Sequence, residues 1–242
     1  MTDRFGVVLV HGGSMTSTMW DGLLPLLDVP ALAVDLPGRR YRPEDLATIT
    51  TLDLVESIVG DCAASGYTEI VVVGHSSAGF ALPYLPSQLG SIRHLVFVCC
   101  TVAAPGTRPV DQLRPDLRRR VLEGHEALMR ETRGTTIGGL RPGEPPVDTT
   151  LRVVENVGAT RLFDAPQPAF ETAAWQPLPR NVRRTFVMAR DDPVIPVDRA
   201  RQMASYVEPV ELIEVDGGHD PTPYFDRLAD VLHDVVGPGG AG

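Results

Sequence analysis

Gly74-His75-Ser76-Ser77-Ala78-Gly79 follows directly on the apolar, β-branched run Ile70-Val71-Val72-Val73. Such a run is expected of a strand buried on both faces of a parallel sheet, and Phe80-Ala81-Leu82 can open a helix. Between them the chain must reverse tightly. Small residues two before and two after Ser76 let strand and helix approach, which leaves the serine hydroxyl projecting alone at a sheet edge. Ser76 is therefore a candidate nucleophile on a strand-to-helix elbow. Ala78 stands at the second glycine of the G-x-S-x-G pattern, and Gly79 follows it. The plainer alternative is a serine that merely caps a helix after a strand.

Working outward, Phe5 to Val10, Ala31 to Val34, Glu69 to Val73, His94 to Cys100, Arg184 to Ala189 and Val210 to Val215 read as six strands. Ser17 or Thr18 is placed to cap a helix to Leu27. Thr50 or Thr51 can cap another to Ala64, with Leu54, Val55, Ile58 and Val59 on one face. The alternation implies an α/β fold: a mostly parallel, six-stranded, doubly wound sheet with right-handed crossovers, helices on both faces and its site at the carboxyl ends of the strands. It breaks between Val102 and Arg180, where helix-like stretches at Pro109 to Arg133 and Val147 to Phe163 flank the Gly/Pro-rich segment Gly138 to Pro146. The expected organisation is a core of residues 1–102 and 181–236, an inserted helical cap at 103–180, and a flexible tail at 237–242.

A chain of 242 residues can bury roughly 70 to 75 % of its unfolded surface and needs no covalent staples. The formal charge is −9, from 22 basic and 31 acidic residues, and no lysine occurs, so every basic residue is arginine. Schiff-base chemistry through lysine is excluded. The net field repels nucleic acid and anionic membranes, and the one basic tract, Arg118-Arg119-Arg120, fits a solvated helix face. Cys62, Cys99 and Cys100 suggest neither a disulfide framework nor a metal site, with the adjacent pair read as core packing; a reducing cytoplasm is the expected home. The opening residues lack the long apolar stretch of a signal peptide, and no span has the length of a membrane helix.

A serine alcohol is a weak nucleophile near neutrality, so Ser76 needs a base in hydrogen-bond reach and that base needs an orienter. Asp192 lies in Asp191-Asp192-Pro193-Val194-Ile195-Pro196 just after the fifth strand. His219 lies in Gly217-Gly218-His219-Asp220 just after the sixth. The order Ser, Asp, His places both in loops at the carboxyl edge beside the elbow. Asp191 competes for the acid role. Developing charge on an attacked carbonyl oxygen needs preformed donors: the Ser77 amide at the helix start, and the Gly13 or Ser14 amide in His11-Gly12-Gly13-Ser14. His11 would brace that loop and Asp35 would pin it. His75 flanks the elbow, while His94, His125 and His233 read as ordinary surface or helix residues. Ser14, Phe80 and Trp175 are candidate substrate-binding residues, and Trp20 is either pocket or core.

Read together, His11-Gly12-Gly13, the elbow, Asp192-Pro193-Val194-Ile195-Pro196 and Gly218-His219 resemble the α/β-hydrolases from about Phe5 to Val236. The resemblance is to the compact, cap-bearing branch that includes plant methyl-ester esterases, hydroxynitrile lyases and bacterial relatives. It implies a six-stranded sheet, a helical cap, no metal and no organic cofactor. The lyases of this branch have a lysine after their histidine. Asp220 stands there instead, which argues against cyanohydrin cleavage. Asp220 either raises the pKa of His219 or caps the next helix ahead of Pro221.

The expected activity is cofactor-free serine hydrolysis of a small carboxylic ester, thioester or lactone through an acyl-enzyme. The partner is then a small molecule, with neither nucleic acid nor membrane. An alternative is a ligand-binding or non-hydrolytic, cyclase- or lyase-like protein of the same fold in secondary metabolism. The elbow serine argues against the epoxide hydrolases and dehalogenases of this fold, which mount an aspartate there.

Overall fold

Six parallel strands carry the molecule: β1 Phe5–Val10, β2 Ala31–Val34, β3 Glu69–His75, β4 Ile92–Val98, β5 Arg183–Ala189 and β6 Glu211–Val215, in the spatial order β2-β1-β3-β4-β5-β6. The structure is a computed structural model that describes residues 4–39, 48–119, 121–123, 165 and 167–236. Val, Ile and Leu dominate the central strands because both faces are covered. Val8, Val10, Val72, Leu95 and Phe97 enter one apolar cluster, while Val7, Leu9, Val71, Val73, Val96 and Val98 enter the other. Fully burying each such side chain contributes about 1.5–3 kcal/mol.

The first cluster is closed by helix Thr51–Ala64 through Leu54, Val55 and Ile58 and by helix Val197–Ala204 through Ala200 and Met203. The second is closed by helix Phe225–Val236 and by Trp20 and Leu23, with the Trp20 and Phe225 rings 6.0 Å apart, so Trp20 is core. Of the two expected caps, Thr50 is the one that starts the first helix, through a reciprocal capping box with Asp53.

Four local expectations are corrected. The helix expected from Ser17 or Thr18 to Leu27 is a pair of 3₁₀ turns, Ser17–Trp20 and Leu24–Leu26, without a side-chain cap; Gly22 and Pro25 interrupt it. After the elbow, Pro83 and Pro86 split the chain into short turns, Ser76–Phe80, Leu82–Tyr84 and Leu85–Gln88, in place of one helix. β4 ends at Val98 and not at Cys100, because Cys99 takes a left-handed φ of +47°. His94, expected at a surface or in a helix, is buried in β4 with Nε2 2.9 Å from Thr185 Oγ1.

Of the expected cap, Pro109–Gln112 is a 3₁₀ turn and Gln167–Phe170 a single helical turn. The segment Gly138 to Pro146, the stretch Val147 to Phe163, His125 and the tail at 237–242 lie outside the described residues. Among the described residues, no helix is long and apolar enough to cross a membrane.

The chain leaves β1 for β2 on one side and returns to β3 on the other, which makes the β1/β3 boundary the topological switch point. Val10 pairs with Gly74, His75 with Val98, Val98 with Val187, and Ala189 with Val215. The loops carrying residues 11–16, 76–80, 190–196 and 216–220 therefore leave one edge of the sheet side by side.

Candidate active site

Ser76 has φ +52°, a left-handed backbone that costs a serine about 1–3 kcal/mol unless its surroundings hold it. The segment after β4 does so. Thr101 N–H donates to the Ser76 carbonyl at 3.0 Å, and the Cys100 thiol donates to the Gly74 carbonyl at 3.0 Å. A Cβ on Gly79 would lie 2.5 Å from the Thr101 carbonyl oxygen, and one on Gly74 2.7 Å from Leu82 Cδ1 and 3.0 Å from Ala78 Cβ. The close approach thus falls on Gly79, one residue beyond the usual second glycine. Ala78 fits because Gly74 has no side chain.

His219 Nε2 is 2.8 Å from Ser76 Oγ, and His219 Nδ1 is 2.8 Å from Asp192 Oδ2. The second oxygen of Asp192, Oδ1, accepts the amides of Val194 at 2.7 Å and Ile195 at 2.8 Å. Asp191 is exposed, and its amide donates to the Gly217 carbonyl, so the acid beside the histidine is Asp192. Burial opposes the Asp192 charge more than any other single influence. The bonds from His219 and from the two amides together outweigh it and hold the carboxyl below its ordinary value. Gly217, at φ +139°, supplies the turn that brings His219 back toward Ser76. Asp220 is exposed and its Oδ1 accepts from the Thr222 amide at 3.0 Å and the Thr222 hydroxyl at 2.7 Å, a local turn ahead of the 3₁₀ turn Thr222–Tyr224, whose N-cap position is held by Pro221.

The loop after β1 lies against the elbow: a Cβ on Gly12 would meet His75 Nδ1 at 2.5 Å and Ser76 Cβ at 3.0 Å. Gly13 and Ser14 follow, Ser14 with φ +56°. His11 Nδ1–H donates to the Gly12 carbonyl at 2.8 Å while Nε2 accepts the Leu36 amide at 3.1 Å. Asp35 Oδ1 accepts the Ser17 amide at 2.6 Å, and Arg39 Nε donates to the Met15 carbonyl at 2.8 Å. Ser77 is the second residue of the turn Ser76–Phe80, whose first amides have no partner within the turn.

Phe80 and Trp175 line a small, partly open cavity of about 10 Å³, space for one water molecule, together with Thr51, Tyr84 and Glu171. Trp175 is buried and its indole N–H donates to the Ala103 carbonyl at 2.9 Å, so it serves the core at least as much as any pocket.

The chain matches the model of the alpha/beta hydrolase family over residues 7–233. It belongs to that family. It is 24% identical over 256 residues to a pyrethroid hydrolase of Sphingobium wenxiniae, covering 95% of this chain and 87% of that protein. Over 260 residues it is 24% identical to putative methylesterase 14, chloroplastic, of Arabidopsis thaliana, covering 95% and 70% respectively. Among solved structures it resembles an extracellular alpha/beta-hydrolase from a Paenibacillus species, with a TM-score of 0.71 and 16% identity over 95% of this chain and 98% of that one. Kinship with hydrolases and esterases supports ester hydrolysis in general for this member of the alpha/beta hydrolase family.

At this candidate site the sequence reading placed His75 only beside the elbow and Cys99 only in the core, and it did not single out Tyr224. His75 is buried, donates from Nε2 to the His219 carbonyl at 2.8 Å, and has its ring 5.0 Å from that of His219. Burial, then the nearness of His219, lowers its pKa to about 4, so it stays neutral. Its place directly before Ser76 was the available signal. The other two are Cys99 and Tyr224, 3.4 Å apart, whose partnership spans 125 residues of chain and has no local signature. Cys99 Sγ, an Asp192 oxygen and a His219 nitrogen lie within 4.8 Å of one another, a grouping with cation-ligand chemistry. Asp192 and His219 are committed to each other, and burial pushes the Cys99 thiol up to about 12, so it keeps its proton.

Proposed function

We propose that this chain hydrolyses a small carboxylic ester, or the corresponding thioester or lactone, through an acyl-enzyme on Ser76. The observation that carries the reading is the unbroken line of contacts from Ser76 Oγ through both nitrogens of His219 to Asp192, each 2.8 Å long. His219 takes the Ser76 proton as Oγ attacks the carbonyl carbon, then returns it to the departing alcohol as the tetrahedral intermediate collapses. Water repeats the sequence on the acyl-enzyme, with the proton again passing through His219. Asp192, charged and below its ordinary pKa, holds the tautomer with Nδ1 protonated and stabilises the imidazolium.

The amides of Ser77 and Gly13 are proposed to receive the oxyanion, a reading supported by the packing of Gly12 on His75 and Ser76. Residues 103–180 are proposed as the cap that shapes the pocket, with Ser14, Phe80 and Trp175 at its floor. Carboxylic esters are favoured by the kinship with a pyrethroid hydrolase and a methylesterase. Three free, buried cysteines fit a reducing cytoplasm.

Release of p-nitrophenol from short acyl esters tests the proposal. Wild type should turn over with a burst, and Ser76→Ala should fall to background. Equal rates in the two would refute it and leave binding without turnover as the reading.

A further inference from the structure

Cys99 reads as an apolar core residue, yet three features set it apart. Its backbone is left-handed at φ +47°, uncommon for a residue other than glycine. Its sulfur lies 3.4 Å from the Tyr224 hydroxyl. It also lies within 4.8 Å of an Asp192 carboxylate oxygen and of a His219 ring nitrogen.

Tyr224 is equally specific. Its hydroxyl donates to the Gly218 carbonyl at 3.3 Å, one residue before His219. Its ring packs so closely on Gly217 that a Cβ there would lie 2.7 Å from Cδ1. Core filling would be met by phenylalanine, whereas a buried phenol needs polar partners, and here they are the loop carrying His219 and a thiol facing the triad. Burial holds both the thiol and the phenol in their protonated forms. When the phenol donates to Gly218, the thiol proton is left to point at the Tyr224 oxygen or toward Asp192.

We infer that Tyr224 and Cys99 form a positioning pair for His219, tying its loop to the end of β4 so that the imidazole stays between Asp192 and Ser76. Neither touches substrate. The inference rests on the esterase reading for its kinetic consequences but not for its structural one.

Tyr224→Phe and Cys99→Ala, singly and together, test it through steady-state kinetics on a p-nitrophenyl ester and through the low-field NMR signal of the His219 Nδ1 proton. Each single variant is expected to lower kcat about tenfold with KM within about twofold, since the pair acts on alignment and not on substrate binding. The double variant should be no slower than the slower single variant, because both act through one tether. The Nδ1 signal should broaden or disappear in Tyr224→Phe. An unchanged NMR signal, kcat within twofold of wild type in both single variants, or losses that multiply in the double variant would overturn the pairing. If wild type turns over no ester, the esterase reading fails and the NMR signal alone decides the pairing.

Discussion

The ring of His75 holds the backbone of His219: Nε2 of this residue, which directly precedes Ser76, donates to the carbonyl oxygen of His219 at 2.8 Å. Ser76 and His219, separated by 143 positions, are thus joined through their side chains and through this second bond beside them.

Replacing His75 with leucine keeps the bulk and removes the donor. With the His219 loop freed, kcat should fall about tenfold at little change in KM, because the loss is one of alignment. Steady-state kinetics on a short ester check this. Turnover within twofold of wild type would mean that the brace is dispensable.

Gly12→Ala places a methyl carbon 2.5 Å from His75 Nδ1 and 3.0 Å from Ser76 Cβ. The Gly12 backbone is not in the left-handed region, so the effect is steric and the loop must shift away from Ser76. Losing one well-placed oxyanion donor lowers turnover by about 10²–10³, and the variant should fall in that range. Overpacking of this kind costs about 1–3 kcal/mol, so the protein should stay folded by circular dichroism while kcat falls.

Acid should destabilise the fold below pH 6.5. Burial lowers the pKa of His75 to about 4 and that of His94 to about 3, against 6.5 for an exposed imidazole. Between these values the unfolded chain binds protons that the folded chain refuses. The stability present above pH 6.5 is therefore lost progressively as pH falls toward 4, at up to about 1.4 kcal/mol per pH unit for each histidine. Urea midpoints measured across this range check the slope, and His94→Gln should make it shallower. A midpoint independent of pH from 6.5 to 4.5 would contradict the burial of both rings.

His219→Ala should lose at least as much kcat as Asp192→Asn, since one removes the proton carrier and the other only its orienter. Parallel kinetics of the two variants decide the assignment of roles. The reverse order would contradict it.

The sheet was legible because its strands are short β-branched runs between turn residues, and a parallel sheet covered on both faces demands that composition. Ser76, Asp192 and His219 stood out because each falls within a few residues of a strand's carboxyl end, and parallel register brings those ends together. What was hidden depends on contacts distant in sequence. The early end of β4 follows from the Cys99 backbone, which no neighbouring residue announces. The burial of His94 follows from its place in β4 between β3 and β5, where its ring meets Thr185. Gly79 takes over the close-packing role only because the Thr101 carbonyl comes down on it.

Intact-mass analysis after treatment with a fluorophosphonate asks most directly whether His219 and Asp192 make Ser76 reactive. Wild type should gain one adduct that maps to Ser76, Ser76→Ala none, and His219→Ala should label far more slowly. A folded wild-type protein that gains no adduct, or labelling of Ser76 at the same rate without His219, would contradict the account.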